Sequence, residues 1–333
     1  MSTAASSTPH PPPRQDTTST TTTSTTHFGF RDVPSSEKST LVRQVFESVA
    51  PQYDVMNDLM SATLHRQWKD DLVDMLAPRP STRHIDVAGG TGDVAFRICD
   101  RIQRRLPPSS AGWQPPPSEV VVFDINPAML EVGKQRAQEY GYNSINEEDD
   151  HDISLTHSTS SSSVTTFDSS SSSSDTLTSA SASASASPPP SLRLKWCEGD
   201  AERLERFEDS SFDSYTIAFG IRNVTDIPRA LREAHRVLRP GGRFLCLEFS
   251  RVQNDVLRQL YEAYSFHVIP QIGEIVANDR DSYQYLVESI QKFPTQVEFG
   301  KMLKDAGFQH VQHTNFIDGV VAIHSGFKLE DKK

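Results

Sequence analysis

The chain has 333 residues, of which 33 are Lys or Arg and 44 are Asp or Glu, so its formal net charge is −11. This negative balance argues against nucleic acid as a partner and against attachment to anionic lipid by bulk charge. No apolar run approaches the length of a membrane-spanning helix. The three cysteines lack Cys-x-x-Cys spacing, which predicts reduced, buried thiols and neither disulfides nor a metal site.

Two segments of biased composition interrupt the chain. Residues 1–26 are mostly Ser, Thr and Pro, and residues 144–191 contain serine runs, a Ser-Ala alternation and a proline triplet. Such segments bury too little apolar surface to offset the entropy of ordering. We therefore expect residues 1–35 to be a disordered or targeting segment and 144–191 to be a disordered insertion. Residues 36–143 and 192–333 are expected to form one domain that begins with cap helices.

The first strong functional signal along the chain is the glycine-rich turn at residues 88–93. An apolar, β-branched run at 84–87 precedes this turn, and the pattern at 94–105 predicts a helix. Gly90 and Gly92 let the backbone approach a nucleotide closely, and the free N–H groups of the helix point at it. Taken alone, the turn fits a nicotinamide enzyme and an S-adenosylmethionine enzyme equally well.

The strands that follow the turn bear on the choice of cofactor. A second apolar strand ends at Asp124, whose carboxylate can accept hydrogen bonds from both ribose hydroxyls. A third strand, at 192–197, is followed by Asp200 and Ala201, which suit an adenine amino group and ring. The alternative role for Asp200 is the N-cap of a predicted helix at 202–207.

The next elements complete an alternating pattern. A predicted strand at 212–219 leads into Gly-Ile-Arg-Asn at 220–223, and a predicted helix at 227–238 follows. Pro-Gly-Gly at 240–242 then turns the chain into a strand at 243–249. Strands that alternate with helices give a parallel sheet that binds ligands at the C-terminal ends of its strands. The series resembles the class I methyltransferases that use S-adenosylmethionine.

Two longer motifs make this resemblance more specific. One precedes the glycine turn, and the other surrounds the Pro-Gly-Gly turn. Both match signatures of the ubiquinone/menaquinone C-methyltransferase family, and the chain is identified as a member of it. The matching residues are Tyr53-Asp54-Val55-Met56-Asn57, Met60-Ser61, His65 and Trp68 in the first motif, and Arg236-Val237-Leu238-Arg239-Pro240-Gly241-Gly242, Glu248 and Ser250 in the second.

The resemblance implies a Rossmann-like class I fold, with a mostly parallel seven-stranded sheet, helices on both faces and an N-terminal helical cap. It implies S-adenosylmethionine-dependent C-methylation of a polyprenyl-methoxy-benzoquinol ring in ubiquinone biosynthesis, with no metal. In this family pattern the glycine turn holds the methionine part of the cofactor, and the next two strand ends hold the ribose and the adenine. The expected cofactor-binding residues are Gly90, Gly92, Thr91, Asp124, Asp200 and Ala201.

Four residues are expected to serve the methyl transfer. Arg222 and Asn223 follow the fourth strand, which places them at the sheet edge beside the reactive methyl. Arginine stays protonated, so its better role is to stabilise a quinolate oxygen or orient a water. The alternative for Arg222 is an ion pair with Asp226. Asp93 is expected to cap its helix or accept the ring proton, and Tyr53 belongs to the cap that closes over the site.

The resemblance also implies a location and partners. Eukaryotic members of the family work as peripheral proteins on the matrix side of the mitochondrial inner membrane. Self-association as a homodimer and assembly with other quinone-biosynthesis enzymes are further expectations. Two other functions stay open: methylation of demethylmenaquinol or of a phenol oxygen, and a catalytically silent scaffold. The complete glycine turn, with Asp124 and Asp200, argues against the scaffold.

Overall fold

The computed structural model describes residues 24–49, 57–58, 61, 63–107, 115–142, 144–146, 192–277 and 279–330. Tyr53 lies outside these residues, as do most of the two segments of biased composition. Their predicted role and disorder therefore stay predictions. The described elements, in chain order, are β1 (Thr25–Phe28), β2 (Arg31–Pro34), α1 (Ser35–Val49), α2 (Leu64–Leu76), β3 (Arg83–Val87), α3 (Asp93–Gln103), β4 (Ser118–Asp124), α4 (Pro127–Glu139), β5 (Ser144–Asn146), β6 (Leu192–Glu198), β7 (Phe212–Ala218), α5 (Ile227–Val237), β8 (Leu238–Phe249), α6 (Asp255–His267), α7 (Ile269–Ala277), α8 (Arg280–Lys292), α9 (Gln296–Asp305), β9 (Gln309–Phe316) and β10 (Val321–Phe327).

One sheet organises the molecule, with strand order β5-β6-β4-β3-β7-β8-β10-β9. All neighbours in it are parallel except for the two pairs that β10 makes. The chain order runs outward from β3 in both directions, through β4 and β6 on one side and through β7 and β8 on the other. The C-terminal ends of β3 and β7 therefore form the topological switch point where such sheets bind ligands. The predicted mostly parallel class I fold is confirmed.

Both faces of the sheet are buried, as an apolar parallel strand requires. In β4, Val120 and Val122 pack into one core with α2, α3 and α4, while Val121 and Phe123 pack into a second core with α5 and α9. Each fully buried side chain of this kind contributes about 1.5–3 kcal/mol relative to an exposed one. Among the described residues, none of the helices combines the length and apolarity that crossing a bilayer requires.

Several predicted boundaries are wrong. Residues 24–34 belong to the β1–β2 hairpin and the residue before it, not to a disordered segment. Residues 144–146 form β5, which pairs in parallel with β6 and adds an eighth strand at the sheet edge. No helix forms at 202–207, where the chain makes turns. The helix predicted to reach Leu238 ends at Val237, because β8 begins one residue later and bulges around the Pro-Gly-Gly turn.

The hairpin and α1 cover the C-terminal edge of the sheet. Phe28 of the hairpin stacks on Tyr285 of α8, with the ring centroids 4.1 Å apart, and Val42 of α1 joins the same cluster. Lys38 of α1 is buried and donates a hydrogen bond of 2.9 Å to the carbonyl of Val224. These contacts fix one wall of the predicted cap above the switch point.

A buried histidine near the N-terminal end of β3, away from the switch point, makes the stability of the fold depend on pH. The imidazole of His84 is buried, with Nε2 2.7 Å from the Thr82 hydroxyl and Nδ1 hydrogen-bonded to the Ser214 hydroxyl. This burial lowers the pKa of His84 to about 4. Between about pH 6.5 and 4 the unfolded chain binds a proton that the folded chain does not. His84→Asn should therefore remove about 1.4 kcal/mol per pH unit from the slope of unfolding free energy in that window. Urea denaturation at several pH values measures the slope, and an unchanged slope contradicts the prediction.

Candidate active site

The glycine turn lies at the switch point, between β3 and α3. Gly90 has φ +51° and Gly92 has φ +80°, a left-handed conformation that side chains rarely adopt. A Cβ at Gly92 would come within 2.7 Å of the Trp196 ring, so that position also needs the smallest residue. The turn is fastened to β4, since the Gly89 N–H donates to the Phe123 carbonyl at 3.2 Å.

A cavity of about 1090 Å³, including its open mouth, extends from this turn along the C-terminal edge of the sheet. We call it the first cavity. The predicted cofactor residues line it with one exception, Gly92, which is the N-cap of α3 and packs against Trp196. The predicted residues that line the first cavity are Gly90, Thr91, Asp93, Asp124, Asp200, Ala201 and Asn223.

Asp124 is a carboxylate of the first cavity that backbone groups hold in place. Its Oδ2 accepts a 2.8 Å hydrogen bond from the Gly90 N–H, and its Oδ1 accepts one of 2.8 Å from the Asn126 N–H. Burial raises the pKa of this carboxyl to about 6. The carboxylate is thus fixed in place, short of water and suited to accept hydroxyl donors from a ribose.

Asp200 lies beside Ala201 in the loop after β6. Its Oδ1 accepts a 2.9 Å hydrogen bond from the Glu202 N–H, but no helix starts there, so the N-cap alternative for Asp200 is wrong. The loop is held near Asp124 because the Gly199 N–H donates to the Asp124 carbonyl at 2.9 Å. The second Asp200 oxygen and the small Ala201 side chain leave room for a planar base.

Asp93 is surrounded by cations. Its carboxylate is 2.7 Å from the Lys69 ammonium and 3.9 Å from Arg136, and it also accepts a hydrogen bond from Arg97. Although burial opposes the shift, Lys69 and Arg97 hold the pKa of Asp93 well below its usual range. A carboxylate so strongly stabilised is a poor proton acceptor. The capping prediction is wrong, because Gly92 is the N-cap and Asp93 is the first helical residue; the proton-acceptor role stays a prediction.

Arg222 and Asn223 lie in a short 3₁₀ helix (Ile221–Asn223) directly after β7, as expected from the sequence. The ion-pair alternative for Arg222 has the wrong partner. Its Nη1 is 3.0 Å from Oε1 of Glu248, and both side chains are at least 95 % buried, whereas Asp226 accepts the Arg229 N–H and begins α5. Burial raises the pKa of Glu248, and the Arg222 charge opposes that rise.

Arg222 faces a second cavity, of about 1380 Å³, that is largely apolar. Phe46 and Phe219 line both cavities, so the two adjoin at these rings. A hydrogen bond of 2.9 Å joins them as well, from the hydroxyl of Tyr285 in the second cavity to Oδ1 of Asn223 in the first. The arrangement places a fixed cation beside an apolar chamber that adjoins the first cavity.

The mouth of the second cavity carries large exposed apolar side chains. Leu64, Tyr264 and Ile317 line it and are 42 %, 38 % and 47 % exposed. His65, also in the lining, has its pKa lowered to about 4 by burial, so its imidazole is neutral near pH 7. An apolar ligand longer than the chamber could therefore leave it across an apolar rim.

Several residues in or beside the two cavities were not predicted from the sequence as site residues. Glu248 was noted only within a motif, although a carboxylate inside an apolar strand is a signal of a buried ion pair. Asp86 lines the first cavity, and its buried Oδ2 has no partner among the described residues. Burial raises the Asp86 pKa to about 7. Lys69 and Tyr285 carry no local signal, because only the packing of α2 and α8 brings them to the sheet edge.

Known proteins are similar to this chain over nearly its whole length. A model of the ubiE/COQ5 methyltransferase family matches residues 32–168 and 150–328. Proteins named mitochondrial 2-methoxy-6-polyprenyl-1,4-benzoquinol methylase are 47 % identical in Danio rerio, over 92 % of this chain and 85 % of that protein. The Oryza sativa subsp. japonica protein of that name is 47 % identical, over 91 % of this chain and 88 % of that protein. The Homo sapiens protein of that name is 46 % identical, over 91 % of this chain and 84 % of that protein.

Proposed function

The chain belongs to the ubiE/COQ5 methyltransferase family, and from its site we propose that it methylates a ring carbon of a polyprenyl-methoxy-benzoquinol in ubiquinone biosynthesis. S-adenosylmethionine is the donor, and when bound it supplies an electrophilic methyl group. The observation that carries the proposal is the adjacency of two chambers. One is a polar cavity at the glycine turn, and the other is an apolar cavity with a buried arginine.

The first cavity fits the donor. Asp124 offers two fixed carboxylate oxygens to the ribose, and Asp200 with Ala201 borders the space for the adenine. Thr91 and the Gly90 backbone line the end proposed for the methionine part, with Gly92 supporting the turn from behind. The unpartnered Asp86 oxygen beside this turn leaves room for one more donor there.

The second cavity fits a quinol. Carbon methylation requires the ring to lie in line with the methyl group, to gain phenolate character and to lose a ring proton. Nη1 and Nε of Arg222 donate to Glu248, Phe219 and Ser289. Among the described residues, no partner takes Nη2. We assign Nη2 to a quinolate oxygen or to a water that carries the proton away, and Asn223 to the junction of the two cavities.

Location and partners extend the proposal. Exposed apolar residues at the mouth of the second cavity support peripheral contact with a membrane, through which a polyprenyl tail would enter. The relatives' names say mitochondrial, and we propose the matrix side of the inner membrane as the location. A homodimer and association with other quinone-biosynthesis enzymes are proposed from the family resemblance alone.

The substrate is tested with a strain that lacks the gene, followed by purified protein. Lipid extracts of the strain should accumulate a benzoquinone without the ring methyl, and the expressed chain should remove it. With labelled S-adenosylmethionine, purified protein should label the ring carbon of the demethylated benzoquinol. Preferred labelling of demethylmenaquinol or of a phenol oxygen would assign a different acceptor. If a strain that carries a catalytically inactive variant makes normal amounts of quinone, the chain would act as a catalytically silent scaffold.

A further inference from the structure

One cation of the first cavity has no role in the function proposed so far. Lys69 lies on α2 and is only 6 % exposed, and it follows Trp68 and precedes Leu72 and Val73 in the buried face of that helix. Burying an ammonium is costly unless a charge or a ligand compensates it. Lys69 also lines the first cavity, so part of its surroundings is space that a ligand can fill.

Lys69 belongs to a network of charged side chains beside the glycine turn. Asp93 accepts a hydrogen bond of 2.7 Å from its Nζ. The same carboxylate also bonds Arg97 and lies 3.9 Å from Arg136, while Asp70 offers Arg97 a second carboxylate at 2.9 Å. Lys69 also interacts electrostatically with Asp58 and Asp86, so an anion at this end of the cavity would be bound by direct contact with the Lys69 ammonium and not by a surplus of positive charge.

Lys69 is the cation at the glycine-turn end of the first cavity. The cationic side chains among the described lining residues of the first cavity are Lys69 and Arg43. Arg43 donates to the carbonyl of Ile125 at 2.8 Å, directly after Asp124, which places it at the ribose end. Lys69 adjoins Asp93, three residues after Gly90, which places it at the glycine-turn end.

We propose that the Lys69 ammonium binds the α-carboxylate of the S-adenosylmethionine methionine part, with Asp93 as its positioning residue. An ammonium has three donors, and Asp93 takes one, so donors remain for the cofactor carboxylate. The inference rests on the donor named in the proposed function and is independent of which acceptor is methylated. It also explains why Asp93 is held ionised: a neutral Asp93 would release Lys69 from its place.

The test is a binding cycle with two ligands that differ only in the carboxylate. Calorimetry measures the Kd of S-adenosylmethionine and of decarboxylated S-adenosylmethionine for the full chain and for Lys69→Met. The wild-type protein should prefer the carboxylated ligand. Lys69→Met should weaken S-adenosylmethionine binding about 10–100-fold, the range for one charge-assisted hydrogen bond. It should change the affinity for the decarboxylated ligand less than about threefold.

Controls separate direct contact from a structural role. Arg97→Met removes another cation from Asp93 without touching the cavity lining, and it should leave the ratio of the two affinities unchanged. Lys69→Arg keeps a cation, so it should retain part of the preference for the carboxylated ligand. This variant serves as the test if Lys69→Met does not fold. An equal loss for both ligands, or no loss for either, overturns the inference. Because no quinol enters the assay, a wrong acceptor leaves this result untouched.

Discussion

Arg222→Met is expected to lower kcat for quinol methylation by about a hundredfold or more, the scale seen when a preorganised electrostatic stabiliser is removed. Arg222 is the buried cation among the described lining residues of the second cavity, and the proposed function assigns its Nη2 to the developing quinolate charge. The affinity for S-adenosylhomocysteine should stay within about threefold, because Arg222 does not line the first cavity. Single-turnover kinetics with calorimetry measures both quantities.

The same substitution leaves Glu248 without its partner, and an uncompensated buried charge destabilises a fold by about 3–5 kcal/mol. Arg222→Met combined with Glu248→Gln removes that charge, so the double variant should regain much of the stability while turnover stays low. Arg222→Lys should rescue poorly, since an ammonium cannot reproduce the planar fork. Arg104→Met, which breaks an exposed pair with Asp100 of 2.8 Å, is the matched control and should change neither property. Turnover that returns with stability in the double variant would make Arg222 a structural residue.

The predictable part of this fold is the part encoded by local pattern. The glycine turn, the carboxylate at the end of β4 and the strand–helix alternation each follow from residues that are adjacent in sequence. Asp124 and Gly90 are 34 residues apart, yet parallel strands bring their ends to one edge, so their contact was foreseeable. Arg222 was placed at the sheet edge for the same reason.

The partners of these residues were not foreseeable in the same way. Arg222 was weighed against Asp226, four residues away, but it pairs with Glu248 on the neighbouring strand, because the β7–β8 pairing brings them together. Sequence proximity favoured Asp226, whereas that carboxylate is used by its own helix. Asp93 was judged by its position in the turn, but the packing of α2 and α4 against α3 brings Lys69 and Arg136 to it, in addition to Arg97 of its own helix. Such contacts depend on side-chain geometry between elements, which no local pattern encodes.

The bounds of disorder predicted from composition for the two segments were also wrong at one end of each segment. Thr25 and Thr26 belong to a threonine-rich tract, yet they pair with Pro34 and Val33, since β-branched threonine suits a strand once a partner is present. Residues 144–146 (Ser-Ile-Asn) adjoin a polar segment, but the open edge of β6 gives their backbone groups partners. Composition reports the average of a segment, while the boundary depends on which residues can reach an open edge.

Asp124→Asn is expected to weaken S-adenosylhomocysteine binding roughly 10–150-fold, because charge-assisted hydrogen bonds are worth about 1.5–3 kcal/mol. Asparagine keeps the shape of the side chain but has one acceptor oxygen, so it can retain either the Gly90 or the Asn126 contact. Calorimetry at neutral pH measures the loss. Asp305→Asn, in an exposed pair with Lys301, is the matched control and should bind as the wild-type protein does.

The pH dependence of binding tests the same carboxylate without relying on the size of that loss. Burial raises the Asp124 pKa to about 6 in the free protein, and hydroxyl donors of the ribose favour the ionised form, so the bound pKa is lower. Affinity should therefore be full above about pH 7 and fall by up to tenfold per unit as pH drops through 6. The pKa of Asp86 is raised to about 7, mainly by burial and in part by Asp124 itself, so the two carboxyls titrate as a coupled pair. The wild-type profile divided by that of Asp124→Asn reports what Asp124 adds to this pair, and a flat quotient from about pH 5 to 8 would show that this carboxylate does not hold the cofactor.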